Sequence, residues 1–224
     1  KVKPVAANIS LIVIVFSPLP EPAPGLIDRY LVACADAKIP ALLVLNKTDL
    51  LKENDPILDL VKEYQDLGYE IMLTQSMDNV SKLAERLAGE TVAFVGQSGV
   101  GKSSIINTIV PDATQKTNII SENSALGQHT TTSTRLIGFG DGAALIDSPG
   151  IREFGLWHLN ADKVQEGFPE IDKLLGYCQF RNCTHKHEKQ CALRLAAQNG
   201  EILPRRLDSF LRLIDEIAEA QQKN

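Results

Sequence analysis

The sequence predicts an α/β fold: a mostly parallel sheet with helices on both faces, joined to a small C-terminal α-helical domain organised by a metal. Three observations carry that expectation. Residues 11–16 (LIVIVF) and 41–45 (ALLVL) are short, continuous apolar runs, the pattern of strands covered on both faces. Strand-like runs then alternate with helically spaced segments as far as residue 147, as in wound parallel sheets. Beyond Gly150 the alternation stops, and a Cys/His cluster follows.

The elements follow in order. The strand at 11–16 runs into a proline-rich loop, SPLPEPAPG (17–25), at the strand end where open sheets place functional loops. Helical spacing occupies 26–37, with the isolated Cys34 as a core residue, and the strand at 41–45 comes next. The reading continues with a helix near 54–67, a strand near 69–73, a helix near 80–88, a strand at 92–95 and a helix over 102–109. Two strands are expected near 134–139 and 143–147, and helical segments near 161–175. A strongly periodic helix near 204–220 puts Leu207, Phe210, Leu211, Ile214 and Ile217 on one face, and Arg206, Asp208, Asp215 and Glu219 on the other. The expected domains are 1–155 and 156–224.

Composition excludes several classes. With 44% hydrophobic and 23% charged residues among 224, the chain is globular rather than disordered. The apolar run at 11–16 is too short for a bilayer, and no secretory leader opens the chain. Four cysteines are too few for a disulfide framework, which points to a reducing, cytoplasmic setting. The chain opens on Lys-Val-Lys without Met, as a fragment would. A formal net charge of −5 argues against a nucleic-acid binder over its whole surface. A local basic face remains: between Cys178 and Arg206, Arg181, Lys186, Lys189, Arg194, Arg205 and Arg206 outnumber Glu188 and Glu201.

Residues 96–103 (GQSGVGKS) fit G-x-x-x-x-G-K-[ST] between an apolar strand and a helix. Gly96, Gln97, Ser98, Gly99, Val100 and Gly101 would turn backbone N–H groups onto a β-phosphate at a helix N-terminus, with Ser104 in the helix's first turn. Lys102 would span the β- and γ-phosphates, and Ser103 would ligate Mg²⁺. Asn46-Lys47-Thr48-Asp49 follows the strand at 41–45. Asn46 can bond the 6-oxo/N7 edge of a purine, and Asp49 can accept from N1–H and the 2-amino group. Adenine offers neither donor, so a desolvated Asp49 would reject ATP. Asp147-Ser-Pro-Gly150 would supply an acid that holds Mg²⁺ through water and, at Gly150, an N–H to the γ-phosphate. In the polar stretch 128–134, a threonine would complete the Mg²⁺ shell, with Thr132 favoured and Thr131 next.

These motifs resemble those of translation-factor-like GTPases, but the guanine motif here precedes the phosphate loop by about fifty residues. That order marks circularly permuted GTPases. With GQSGVGKSS, HTTT and the C-terminal cysteines, the chain resembles the RsgA (YjeQ/EngC) family of small-ribosomal-subunit biogenesis GTPases over essentially its whole length. The resemblance implies a P-loop GTPase-like sheet and a role in late maturation of the 30S subunit, with GTP hydrolysis timing release. The implied partners are 16S rRNA or ribosomal proteins, without a membrane, the protein acting as a monomer. It also implies an N-terminal OB-fold domain, which this sequence lacks. The guanine pocket's remaining wall would come from Thr74-Gln75-Ser76, where the family typically shows Ser-Ala or Ser-Ser. Many GTPases carry a water-orienting glutamine where this chain has Ile151, so His129 becomes the candidate, as the family's HTTT segment implies. Low intrinsic turnover, stimulated by the subunit, would follow.

Cys178-x₄-Cys183-x-His185-x₅-Cys191 offers three thiolates and an imidazole, a closed tetrahedral set for one structural Zn²⁺. His187 rivals His185 by spacing, and the resemblance favours His185. Two other readings stay open: a GTP switch whose zinc domain recognises a protein rather than rRNA, and a GTP-binding module without useful catalysis.

Overall fold

The structure is a computed structural model and describes residues 8–75, 79–110, 135–147 and 161–222. Strands β1 (Leu11–Phe16), β2 (Ala41–Leu45), β3 (Glu70–Leu73), β4 (Thr91–Val95), β5 (Arg135–Phe139) and β6 (Ala143–Asp147) form one sheet in the order β3-β2-β1-β4-β6-β5. Every neighbouring pair is parallel except β5 with β6. All six residues of β1 are buried, as a continuous apolar run in the middle of a sheet requires. On one face Leu11, Val13, Val15, Leu42, Val44, Val92, Phe94 and Leu145 join a single core with Val80 and Leu83 of α3 (Val80–Arg86) and Ile105 and Ile109 of α4 (Lys102–Ile109). β3 is an edge strand whose Glu70 and Leu73 are exposed, in keeping with the charge and shortness that protect edges.

Helix α1 (Pro24–Ala37) follows β1, and α2 (Ile57–Asp66) follows β2. The helix expected near 54–67 begins at Ile57, whose N–H donates to Asp55 Oδ1 at 3.1 Å. Strand order reverses at β1: β2 and β3 lie to one side of it, and β4 returns on the other. The carboxyl ends of β1 and β4 therefore border the crevice in which open sheets bind ligands.

The chain packs as two compact units. The first runs through Pro24 and resumes at Ile39; the second takes Gly25–Lys38 together with the described residues from Ala161 onward. The second unit holds α1, α5 (Ala161–Val164), α6 (Pro169–Asp172), α7 (Ala192–Gln198) and α8 (Pro204–Gln222). The helical segments expected near 161–175 are separated by a 3₁₀ turn at Gln165–Gly167. A Cβ on Gly167 would run into the backbone and side chain of Val32, so close approach to α1 demands glycine there. Helix α7, only 7 residues long and directly after Cys191, was not expected from periodicity.

In α8, Leu207, Phe210, Leu213 and Ile217 are buried, whereas Leu211 and Ile214 are half-buried. Arg206, expected on the polar face, is fully buried. Its Nη1 donates to Asp28 at 2.8 Å, its Nε to Glu170 at 2.6 Å and its Nη2 to the Gly167 carbonyl at 3.1 Å. The guanidinium also lies 4.1 Å over the Phe168 ring, which meets Phe210 edge-on. Arg205 reaches the other oxygen of Asp28 at 2.9 Å. Paired charges and a stacked ring replace the water that a periodicity argument assumes around arginine. The basic face counted from the sequence shrinks accordingly: Arg205 and Arg206 hold carboxylates within the second unit, and Lys186 is paired with Asp215.

Candidate guanine-nucleotide site and metal centre

The carboxyl ends of β1, β2, β3 and β4 bring the guanine motif and the phosphate loop together. Asn46 directly follows β2 with its side chain buried, its amide Nδ2 donating to the Val100 carbonyl of the loop at 3.0 Å. Its Oδ1 accepts from the Thr74 hydroxyl at 2.9 Å. One N–H of the amide is then left for a purine edge whose O6 and N7 are both acceptors. Lys47, in the left-handed region at φ 59°, turns its Nζ onto the Gly99 carbonyl at 2.6 Å and the Leu19 carbonyl at 2.8 Å. Thr48 donates its hydroxyl, and its N–H, to the Thr74 carbonyl, each at 3.2 Å. Asp49 sits exposed in a short 3₁₀ turn, free to meet a base.

Two glycines explain the loop's composition. A Cβ on Gly96 would collide with the Val15 carbonyl of β1, and one on Gly101 with the Asn46 amide. Both have positive φ, 140° and 96°, so glycine is required on two counts. Val100 is buried in the core and anchors the loop, while α4 opens at Lys102. Lys102 Nζ folds back onto the Gly96 and Gln97 carbonyls at 2.7 Å each, bonds a phosphate oxygen can replace. Ser103 and Ser104 are exposed at the helix N-terminus, where backbone N–H groups and the helix dipole favour an anion. The cradle fits a nucleoside polyphosphate.

The loop after β1 is the part that residue motifs did not identify, although its prolines marked it. Ser17, fully buried, donates to the Leu19 carbonyl at 2.9 Å, and a Cβ on Gly99 would lie 3.6 Å from the Pro20 ring. Asp147 ends β6 half-buried. Ser76, His129, Thr131, Thr132, Gly150 and Ile151 lie outside the described residues. Thr74, expected in the pocket wall, is fully buried and orients Asn46.

In the second unit the ligand atoms of Cys178, Cys183, His185 and Cys191 lie within 4.8 Å of one another. His185 Nδ1 is 3.4 Å from the sulfurs of both Cys178 and Cys191, which are 3.9 Å apart. A tetrahedron around Zn²⁺ has edges of about 3.8 Å between sulfurs and about 3.6 Å from sulfur to nitrogen, so the set fits. His187 is not part of the cluster. Burial, and after it the neighbouring sulfurs, push the Cys183 thiol up to about 12, and burial lowers His185. A bound dication reverses the thiol's preference. The Ala192 N–H donates to Cys178 Sγ at 3.4 Å, and the Glu188 carboxylate ties the loop by accepting from the N–H and hydroxyl of Thr184.

The sequence pattern of the RsgA GTPase family matches residues 1–157. A protein of Haemophilus influenzae (strain PittGG) named small ribosomal subunit biogenesis GTPase RsgA is 50% identical over 225 residues, covering 99% of this chain and 65% of its own. One from Alcanivorax borkumensis with the same name is 49% identical, over 97% and 63%. The chain thus spans just under two thirds of the length of these relatives. Among solved structures, YjeQ from Thermotoga maritima is similar with a TM-score of 0.73 at 28% identity, over 94% of this chain and 72% of that one. YloQ, described as a circularly permuted GTPase, has a TM-score of 0.74 at 29% identity, over 95% and 69%.

Proposed function

The chain belongs to the RsgA GTPase family, and on that premise we propose that it binds GTP and GDP, hydrolyses GTP, and acts on the small ribosomal subunit. The single observation that carries the nucleotide half is the pair of contacts from Asn46 to Val100 and from Lys47 to Gly99, which join two motifs fifty residues apart. Asp49 selects guanine, because adenine would leave its carboxylate unpaired. Asn46, fixed by Thr74, gives its remaining N–H to the base edge. Lys102 exchanges loop carbonyls for β- and γ-phosphate oxygens, and Ser103, Asp147 and Thr132 are the residues for Mg²⁺. That ion, when bound, neutralises charge developing on the phosphates. Gly150 donates its N–H to the γ-phosphate, and His129 orients the attacking water in place of the side chain that Ile151 lacks.

Zn²⁺ is the ion proposed for the Cys178, Cys183, His185 and Cys191 set, in a structural role, because a closed shell leaves no position for substrate. The relatives' name supports the subunit as partner; contact through rRNA and ribosomal proteins, by a cytoplasmic monomer, completes the proposal. No helix among the described residues is long and apolar enough to cross a membrane. The test is GTP turnover with and without purified small subunits. The expected result is a slow intrinsic rate that the subunit stimulates, and a His129→Ala variant whose rate falls on the order of a hundredfold while GDP affinity holds. No turnover with or without subunits would leave a binding module, unstimulated turnover would remove the subunit as partner, and an unaltered His129→Ala rate would remove that residue from the chemistry.

A further inference from the structure

The loop after β1 meets the phosphate loop and the guanine motif through residues that belong to neither. Phe16 and Leu45 are partners in the parallel pairing of β1 with β2, and the Asn46 N–H donates to the Phe16 carbonyl at 2.9 Å. Ser17 and Asn46 therefore leave the sheet at one level. Ser17 is fully buried, and its hydroxyl donates to the Leu19 carbonyl at 2.9 Å. The same carbonyl accepts from Lys47 Nζ at 2.8 Å, and that Nζ also reaches the Gly99 carbonyl of the phosphate loop at 2.6 Å. Two donors thus share one carbonyl oxygen, which has a lone pair for each. The Leu19 side chain is left exposed, an apolar group turned to solvent while its carbonyl points inward. The peptide continues into Pro20, which has no N–H, so this carbonyl is the one group through which the Leu19–Pro20 unit can be hydrogen-bonded in place. A Cβ on Gly99 would lie 3.6 Å from the Pro20 ring, so the same unit also packs against the phosphate loop.

We propose that Ser17 is a positioning residue of the nucleotide site: its hydroxyl fixes the Leu19 carbonyl under the Lys47 ammonium, and the ammonium so held ties the phosphate loop to the guanine motif and slows nucleotide release. The proposal rests on the guanine-nucleotide reading above. Lysine has a flexible stem and loses much rotamer freedom when it bridges two acceptors. An acceptor already oriented by a second donor lowers that loss, which is preorganisation in its simplest form. Without the hydroxyl, Lys47 alone has to order the Leu19 peptide while it holds Gly99. A buried serine can also do no more than satisfy itself within a turn, and the two roles differ in what Ser17→Ala would do. The Leu19 carbonyl keeps Lys47 as a donor in that variant, so no buried acceptor is stranded and the fold should lose little. The effect should appear in nucleotide release instead.

The test uses the zinc-loaded full chain and GDP carrying a fluorescent N-methylanthraniloyl group, chased off by excess unlabelled GDP. Ser17→Ala should raise the dissociation rate about fivefold, the worth of one ordinary hydrogen bond. The melting temperature of the nucleotide-free chain should stay where it is. If Ser17→Ala does not fold, Ser17→Cys keeps the volume, donates only weakly, and should shift the rate in the same direction. The deciding arm is a double-mutant cycle with Lys47→Met, which removes the ammonium and keeps an unbranched stem. In that background Ser17→Ala should change the rate no further, because the two residues act through one carbonyl. A dissociation rate unmoved by Ser17→Ala would overturn the proposal. So would a full effect that persists beside Lys47→Met, since the hydroxyl would then act by another route. A wild type that does not take up the labelled GDP would sink the nucleotide reading, whereas tight binding that is indifferent to Ser17 would remove Ser17 alone.

Discussion

The polar side chains buried in the two units have different characters. In the first unit Ser17, Asn46 and Thr74 are buried, all uncharged, and each directly follows a strand: β1, β2 and β3 respectively. In the second they include Asp28 and Arg206, a full ion pair at 2.8 Å between two helices, and Ser209 on α8. An apolar sheet can hold itself together through its strands, so it can reserve buried polarity for aiming a site. A unit made of helices between 4 and 19 residues long has less apolar surface to bury, and uses buried charges for structure beside a Cys/His cluster whose geometry suits a metal. Buried polarity marks function in the one and architecture in the other.

Removing the metal should open the largest gap between the units. Chelation, or Cys191→Ala, is expected to unfold the second unit, since structural zinc contributes on the order of 10 kcal/mol to such domains. The sheet, and with it GDP binding, should persist. Cys34 on α1 gives a sharp reporter: burial pushes its thiol up to about 12, so it is inert in the folded unit. Because α1 packs with the second unit, mass-mapped thiol labelling of Cys34 should accelerate on chelation. Labelling that stays slow would move α1 to the first unit's side of the comparison.

A smaller effect is expected from Arg206→Met. It takes the shared cation from Glu170 and leaves buried Asp28 with Arg205 alone, at a cost of up to about 3–5 kcal/mol in denaturant melts. A loss below about 1 kcal/mol would show that the network is replaceable.

The smallest effect belongs to the first unit's surface. Arg86 grips Glu70 at the sheet edge, Nε to Oε1 at 2.9 Å and Nη2 to Oε2 at 2.9 Å, and that hydrogen-bonded guanidinium holds the Glu70 carboxyl below its usual range. A depressed folded value means stability that is present above the ordinary carboxylate range and lost as pH falls through it. Both side chains are more than a third exposed, so Glu70→Gln should cost less than about 1 kcal/mol near neutrality and flatten the acid limb of a stability–pH curve. An unchanged acid limb would assign the loss to other carboxylates.

Much of this was legible in the sequence, for reasons that also explain what was not. The strands at 11–16 and 41–45 could be read because a strand buried on both faces has to be apolar throughout. The phosphate loop could be read because its glycines answer to local sterics at Val15 and Asn46. The three cysteines of the cluster followed from spacing, His185 rather than His187 only from the resemblance, and the distances bring these four together. Arg206 was misplaced because its burial depends on Asp28 and Glu170, partners 178 and 36 residues away that no periodicity registers. The 3₁₀ turn within 161–175 had a local signal in Gly167 and Pro169, but its cause, the close approach of Val32, is tertiary. Thr74 shows a third kind of limit: position placed it at the pocket, and only a hydrogen bond reveals that it also fixes Asn46.

The central claim is that residues 46–49 and 96–103 form one guanine-nucleotide site, and titration calorimetry of the zinc-loaded chain against GDP and ADP tests it most directly. GDP should bind with one-to-one stoichiometry, ADP should be rejected by a factor on the order of 10⁴, and Asp49→Ala should erase most of that preference. Equal affinities for the two nucleotides, or a preference that survives Asp49→Ala, would contradict it.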